Sequence, residues 1–504
     1  MSVSTDSLPA AGVSSSSAEL TGDSGDTPTL RRALGPGAAV AIVVGSVIGS
    51  GVFFKPGKIA AEAGRFDLII CVWVLGGVLC MLGAVCFAEL ATMFPHAGGL
   101  YVYLRETYGR LAAFLFGWIE FLFAKPAAIG ALSVAFVGKM SVLVGQPLSP
   151  ATQVLTSSVL ICLLAAVNVF GVHWGGRVQS LMTLLKGGLV AAVALSPLFL
   201  MPFVGTTIEL ANYTSVAPPR EASLTAQISV VLLAVMWAYH GWHGITPLTE
   251  EIRDPQRNVP LALFAGLGIV MVLYVSANIA YHGVLSMSEL QAAGTDGAEM
   301  MLRKMIGPIG QSIMAAIIMC STSGAINSNV LETPRVAFAM GRDGVFFRSL
   351  GLVHVVYRTP VPAILVTALM SIGGLLAAAV GKWLVADVSV SELSHSLQAR
   401  FVEGLQQNSI FDLLTNFVVF ASAIFHMLTV LAVFLLRWRL PHAPRPYKTL
   451  GYPFVPALFL VIYCWFMYQI YWSNPVEAHV GLGLIALGVP VYWLYRACCV
   501  RPSP

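Results

Sequence analysis

Apolar residues in this chain do not alternate with polar ones but gather in long runs parted by short polar stretches. A hydrocarbon core about 30 Å thick is crossed by about 20 helical residues. Lipid offers backbone N–H and C=O groups no partner, so runs of this length predict membrane-spanning helices. Twelve are predicted, near 37–60, 68–94, 111–139, 152–171, 179–203, 226–250, 260–285, 309–340, 361–385, 410–437, 454–473 and 478–497. The alternation of a membrane β-barrel is absent. Composition agrees: charged residues make up 10% and AVILMFWYC residues 57% of the chain, with a mean hydropathy of +0.80. A soluble domain carries roughly 25% charged residues. The pattern is that of an all-α polytopic membrane protein.

Residues 1–33 read as a disordered cytoplasmic tail, Ser-, Ala- and Gly-rich over 1–28 and without the basic start or apolar core of a signal peptide. A ten-helix core is expected over 34–437, in two halves near 37–203 and 226–437. Helices eleven and twelve follow in 438–497, then a cytoplasmic tail at 498–504. An even number of spans puts both termini on one side. With that side cytoplasmic, the inner segments hold Arg31, Arg32, Arg105, Arg342, Arg437 and Arg445 among others, more than half of the 28 Lys and Arg residues. The positive-inside rule therefore favours cytoplasmic termini, although Lys55 and Lys58 fall outside. The net charge of +4 reports topology, and no nucleic-acid partner is indicated. Six of the eight cysteines lie in apolar runs and two at the C-terminal end, so no disulfide framework is expected. The outer loop 386–409 has the composition for a short amphipathic helix.

Two spans are interrupted. The first carries Gly45, Ser46, Gly49, Ser50, Gly51 and Gly57; the sixth carries Gly241, Gly244 and Pro247. Glycine weakens a helix by roughly 1 kcal/mol and proline by about 3. At membrane depth the freed backbone groups survive only inside protein or along a polar cavity. One Gly-x-Gly by itself reads more simply as close helix packing. Interruptions five spans apart, in corresponding places of two halves, instead point to a midplane site between inverted repeats. Amides and carbonyls of 49–51 and 241–244 are then positioned to hold a carboxylate and an ammonium group.

Short motifs in register carry a resemblance. Gly49-Ser50-Gly51-Val52-Phe53, Ala88-Glu89-Leu90 with Gly98-Gly99 and Tyr101, Trp118-Ile119-Glu120 with Lys125-Pro126, and Asn168 with Val178-Gln179 and Lys186 come first. Tyr239, Gly241-Trp242, Thr249-Glu250-Glu251, Asp254-Pro255 and Gly341-Arg342-Asp343-Gly344 follow. From about Leu34 to Arg445 the chain resembles the amino acid–polyamine–organocation superfamily, most closely its L-type amino acid transporter branch. The resemblance implies a LeuT-like 5+5 inverted repeat with two extra C-terminal helices and alternating access. It also implies secondary-active, sodium-independent transport of a free amino acid, by exchange or proton-coupled symport. The substrate-binding residues it implies are Ser46, Gly49, Ser50 and Gly51 on the first span, and Trp237, Ala238, Tyr239 and Gly241 on the sixth. Trp237 matches the family's gating aromatic, and Lys186 a lysine that replaces a sodium ion beside the first break. The cysteine by which eukaryotic relatives bind a glycoprotein heavy subunit is missing from the loop Lys139–Gln153, so no disulfide-linked partner is expected. His240 and His243 stand where relatives often have Gly and Asn.

Ionisable residues at bilayer depth face the bundle interior by default. Lys186 is such a residue, unless it snorkels to the cytoplasmic interface. Glu120, Glu250 and Glu332 are candidates for proton carriage or gating, each with a structural alternative. Glu332 is one turn from Arg335, and Glu250 and Glu251 lie near Arg253 and Arg257. His240 and His243 lack companion ligands at metal spacing, so neither metal nor cofactor is expected. A cationic amino acid or polyamine carrier needs a carboxylate in its pocket. None occurs between Ala226 and Pro247, which favours a neutral substrate, with Glu332 the residue that could reverse this. No nucleophile–base set, His-Glu-x-x-His or phosphate-binding loop supports an enzyme, and a channel would usually repeat one pore element across subunits, whereas this chain holds two halves.

Overall fold

The computed structural model describes residues 30, 32–170, 172–205, 208–220, 223–386, 388, 402, 406, 409–473 and 475–499. The expectations for the N-terminal tail, most of the loop 386–409 and the last five residues lie outside these. Among the described residues, eleven helices are long and apolar enough to cross a membrane. The shorter apolar helix Leu224–Ala238 stands sixth in order and completes the predicted twelve. No strand occurs among them, only the isolated bridges Leu34–Ile252 and Arg65–Val216. The architecture is all-α and polytopic.

The long spans follow the apolar runs closely: Phe66–Met93, Arg110–Val144, Pro255–Val284, Pro308–Arg342 and Val361–Val385. Span one packs on spans five, seven and eight, span two on seven, and span three on eight and ten. Span one therefore lies at the centre, and every residue from Ile42 to Phe54 is buried. The peripheral helices turn apolar side chains outward, including Leu184, Phe203, Trp383 and Phe454, as a lipid-facing surface requires.

Three short helices were not expected. Leu100–Tyr108 follows span two, and Met287–Ala293 and Gly297–Ile306 follow span seven. They are too short and polar for the span-length criterion. Local chemistry nevertheless marks one of them: Ser286 and Glu289 form a capping box at the start of Met287–Ala293.

Candidate functional site

Span one stops after Pro36–Val47, passes through extended Ile48, and restarts as Gly51–Phe54 and Pro56–Ala63. Span six stops after Leu224–Ala238, turns over residues 239–245, and resumes as a 3-10 helix at Thr246–Glu251. Each break frees carbonyls that need partners away from water. Lys186 Nζ donates to Gly45 O, and Ser321 Oγ donates to Gly49 O at 2.9 Å. Tyr274 Oη lies 2.9 Å from Val47 O and 3.1 Å from Ala238 O, joining one break to the other.

Glycine lets the breaks touch. A Cβ on Gly51 would strike the backbone of Ala238, and one on Gly241 would lie 2.7 Å from Ser46 O. Gly241 also has a φ of +95°, which an L side chain adopts only with strain.

Between the breaks lies a cavity of about 20 Å³ lined by Ser46, Val47, Gly49, Ser50, Gly51, Trp237, His240 and Gly241, with Ala128, Leu132, Ala325 and Asn329 from spans three and eight. This volume takes little more than a water molecule, so a larger solute enters only if the walls move. Six of the eight residues expected at the substrate are thus gathered around one space. Ala238 and Tyr239 are not in its lining. The Tyr239 side chain points instead to span two, where its hydroxyl donates to Trp73 O at 3.2 Å. Residues within one helical turn point different ways, and the sequence did not reveal which way Tyr239 faced. Sequence reasoning also missed Tyr274 and Ser321, which carry no signal beyond a polar side chain in an apolar run.

Behind the cavity, Lys125 Nζ donates to Asn329 Oδ1 at 3.1 Å and to Glu332 Oε2 at 3.2 Å, with Glu120 Oε1 3.9 Å away. Ser46 contacts the other Glu332 oxygen, and a Cβ on Gly244 would meet the same carboxylate. The suggested Glu332–Arg335 pair is therefore incorrect. Arg335 grips Glu251 through Nε at 2.8 Å and Nη2 at 3.3 Å, with neither side chain accessible. Glu250 and Glu251 likewise do not use Arg253 or Arg257. Glu250 takes Arg342 at 3.2 Å and the Ala97 amide at 2.9 Å. In both cases the partner lies on span eight and not next in sequence; for Glu251 it is a bidentate guanidinium, the stronger geometry. Glu89 is held by Arg437 and Arg445, at 2.7 and 3.2 Å.

Polar and aromatic contacts join the helices at both ends of the bundle. At the end where span one begins, Arg253 N donates to Leu34 O, and Ala33 N and Leu34 N donate to Glu251 O, tying the start of span one to the exit of span six. Tyr101 Oη donates to Asp343 Oδ2 at 2.8 Å, and Arg105 contacts the same oxygen. Burial and the Asp343 charge push the Tyr101 hydroxyl well above the usual phenol range, so it stays a neutral donor. At the opposite end Asp412 binds Lys55 and Lys58 at 2.8 and 3.5 Å, and Phe411 packs edge-on to Trp237 with centroids 5.9 Å apart. Lys139, on span three, reaches Asp296 at 2.8 Å. His243 and His426 meet ring to ring at 4.6 Å, yet among the described residues no three His, Cys, Asp or Glu side chains gather as metal ligands.

The family model for amino acid permeases matches residues 34–495. The chain is 31% identical to the large neutral amino acids transporter small subunit 2 of Homo sapiens, over 96% of this chain and 84% of that protein. It is 29% identical to the serine/threonine exchanger SteT of Bacillus subtilis (strain 168), over 92% and 97%. It is 31% identical to the Asc-type amino acid transporter 1 of Mus musculus, over 92% and 81%.

Proposed function

The chain belongs to the amino acid permease family, and from that premise we propose a sodium-independent exchanger of neutral L-amino acids in the cell membrane, with both termini cytoplasmic. As a family member it is a multi-pass amino acid transporter and not an enzyme. The observation that carries the finer reading is that, among the described residues, no carboxylate lines the cavity between the two breaks. Glu332, the residue that could have favoured a cationic substrate, spends its charge on Lys125 and its other oxygen on Ser46. A buried ammonium side chain would therefore find no counter-charge.

The substrate ammonium is assigned to the C-terminal ends of Pro36–Val47 and Leu224–Ala238, and the carboxylate to the start of Gly51–Phe54 near Gly49, Ser50 and Gly51. Trp237, between the cavity and Phe411, is the gate toward the outside. The Glu251–Arg335 and Glu250–Arg342 pairs close the cytoplasmic path. Lys186 supplies the fixed positive charge at the first break, which supports independence from sodium. The relatives' names, a serine/threonine exchanger and two transporters of neutral or Asc type, support the same substrate class and exchange. With no cysteine in the loop after span three, the chain is proposed to work without a disulfide-linked subunit.

Purified protein in liposomes tests this. Radiolabelled neutral amino acid should enter faster when the lumen is loaded with unlabelled substrate, equally in sodium and choline media. Preferential uptake of lysine or arginine, or no exchange without a second chain, would overturn it. Uptake into empty liposomes driven by a pH gradient would replace exchange with proton symport.

A further inference from the structure

Two buried polar atoms in the cavity wall have no hydrogen-bond partner among the described residues: Ser50 Oγ on the first broken helix and His240 Nε2 on the second. The hydroxyl of Ser46 and the amide of Asn329, also in the wall, are engaged. Ser46 Oγ lies 2.7 Å from Ile42 O and contacts Glu332. Asn329 donates to Ala325 O at 2.9 Å and accepts from Lys125 at 3.1 Å. Buried polar atoms are usually paired; Trp242 Nε1 and His243 Nδ1 on the same break are unpaired as well, but only Ser50 and His240 belong to residues that line the cavity. Ser50 adjoins the backbone of its break, where the main-chain groups of an amino acid belong. His240 is on the facing wall. Its ring stacks on Trp237 at 5.9 Å and 9°, and His243 stands edge-on 6.0 Å away. From spans three and eight the wall is completed by Ala128, Leu132 and Ala325, which are apolar, and by Asn329, whose amide is already engaged.

We infer that His240 reads the substrate side chain, selecting neutral amino acids that carry a hydroxyl or amide over apolar ones of the same shape. The inference rests on the neutral amino acid reading and narrows it. A neutral imidazole nitrogen donates or accepts according to tautomer, and a hydroxyl or amide can meet either. A methyl group in the hydroxyl's place leaves the nitrogen unpaired in a closed cavity. A site built to bond a hydroxyl rejects the analogue lacking it far more strongly than an apolar pocket rejects an added hydroxyl.

The test uses isosteric pairs, threonine against valine and serine against alanine, competing for exchange in liposomes. Wild type should take threonine at least about tenfold more readily than valine. His240→Leu should bring that ratio to within about threefold, chiefly by losing threonine, and His240→Gln should restore part of it. Equal use of threonine and valine by wild type, or an unchanged ratio in His240→Leu, overturns the inference while neutral amino acid exchange still stands. If His240→Leu fails to reach the membrane, the wild-type ratio and His240→Gln decide. A wild type that exchanges other neutral amino acids but none of these four overturns the inference alone; one that exchanges no neutral amino acid overturns the broader reading with it.

Discussion

Replacing Gly241 with alanine adds one methyl group where the two broken helices meet. The added Cβ would lie 2.7 Å from Ser46 O, and ordinary contact with a carbonyl oxygen begins near 3.4 Å. Ser46 cannot easily withdraw, since its side chain already spans Ile42 O and Glu332. Overpacking of this kind costs about 1–3 kcal/mol. Holding a non-glycine residue at a φ of +95° costs about 1–3 kcal/mol more. Both penalties fall on the closed arrangement, where Ser46 and Gly241 touch. That state should rise by at least about 2 kcal/mol, a shift of about 30-fold in population. Exchange should fall by a similar factor while the protein still elutes as a single peak from size exclusion. Gly268→Ala on span seven, where an added Cβ meets nothing within 4 Å, is the control and should exchange normally. If Gly241→Ala exchanges within threefold of wild type, the breaks do not have to meet for transport, and the argument fails.

Lys186→Met leaves Gly45 O without its donor, a loss of about 1–3 kcal/mol at the first break, so exchange should drop at least about fivefold at normal surface expression. Lys186→Arg should also be impaired, because the ammonium already lies against Gly324 and a planar fork is larger. Exchange stimulated by sodium in the wild type, or normal exchange by Lys186→Met, would refute this role. Glu251→Gln or Arg335→Met alone strands a buried charge or its polar partner, and each should cost about 3–5 kcal/mol, read as a lower apparent melting temperature. The double variant should lose less than the two single losses together, and strictly additive losses would show that the pair does not act as a unit.

The order and number of the spans, and which two of them are broken, could be read directly from the amino-acid pattern. Lipid forces every apolar run of about 20 residues to satisfy its own backbone, so length and composition decide helix formation locally. Glycine and proline weaken a helix through their own backbones, so the positions of the breaks are local facts as well. Lys186 was legible for a related reason: an ammonium in an apolar run has to seek the interior, and a freed carbonyl is what it finds there. Partners and facing directions were not legible. Glu332 is paired with Lys125, 207 residues away, and not with Arg335 one turn on. Tyr239 turns to span two while His240, the next residue, faces the cavity. Tyr274 and Ser321 cap carbonyls on helices far from them in sequence. Each of these depends on how helices lie against one another, which is set by packing summed over the whole bundle. The chain by itself determined that two broken helices exist; only the tertiary structure decided which side chains close around the space between them.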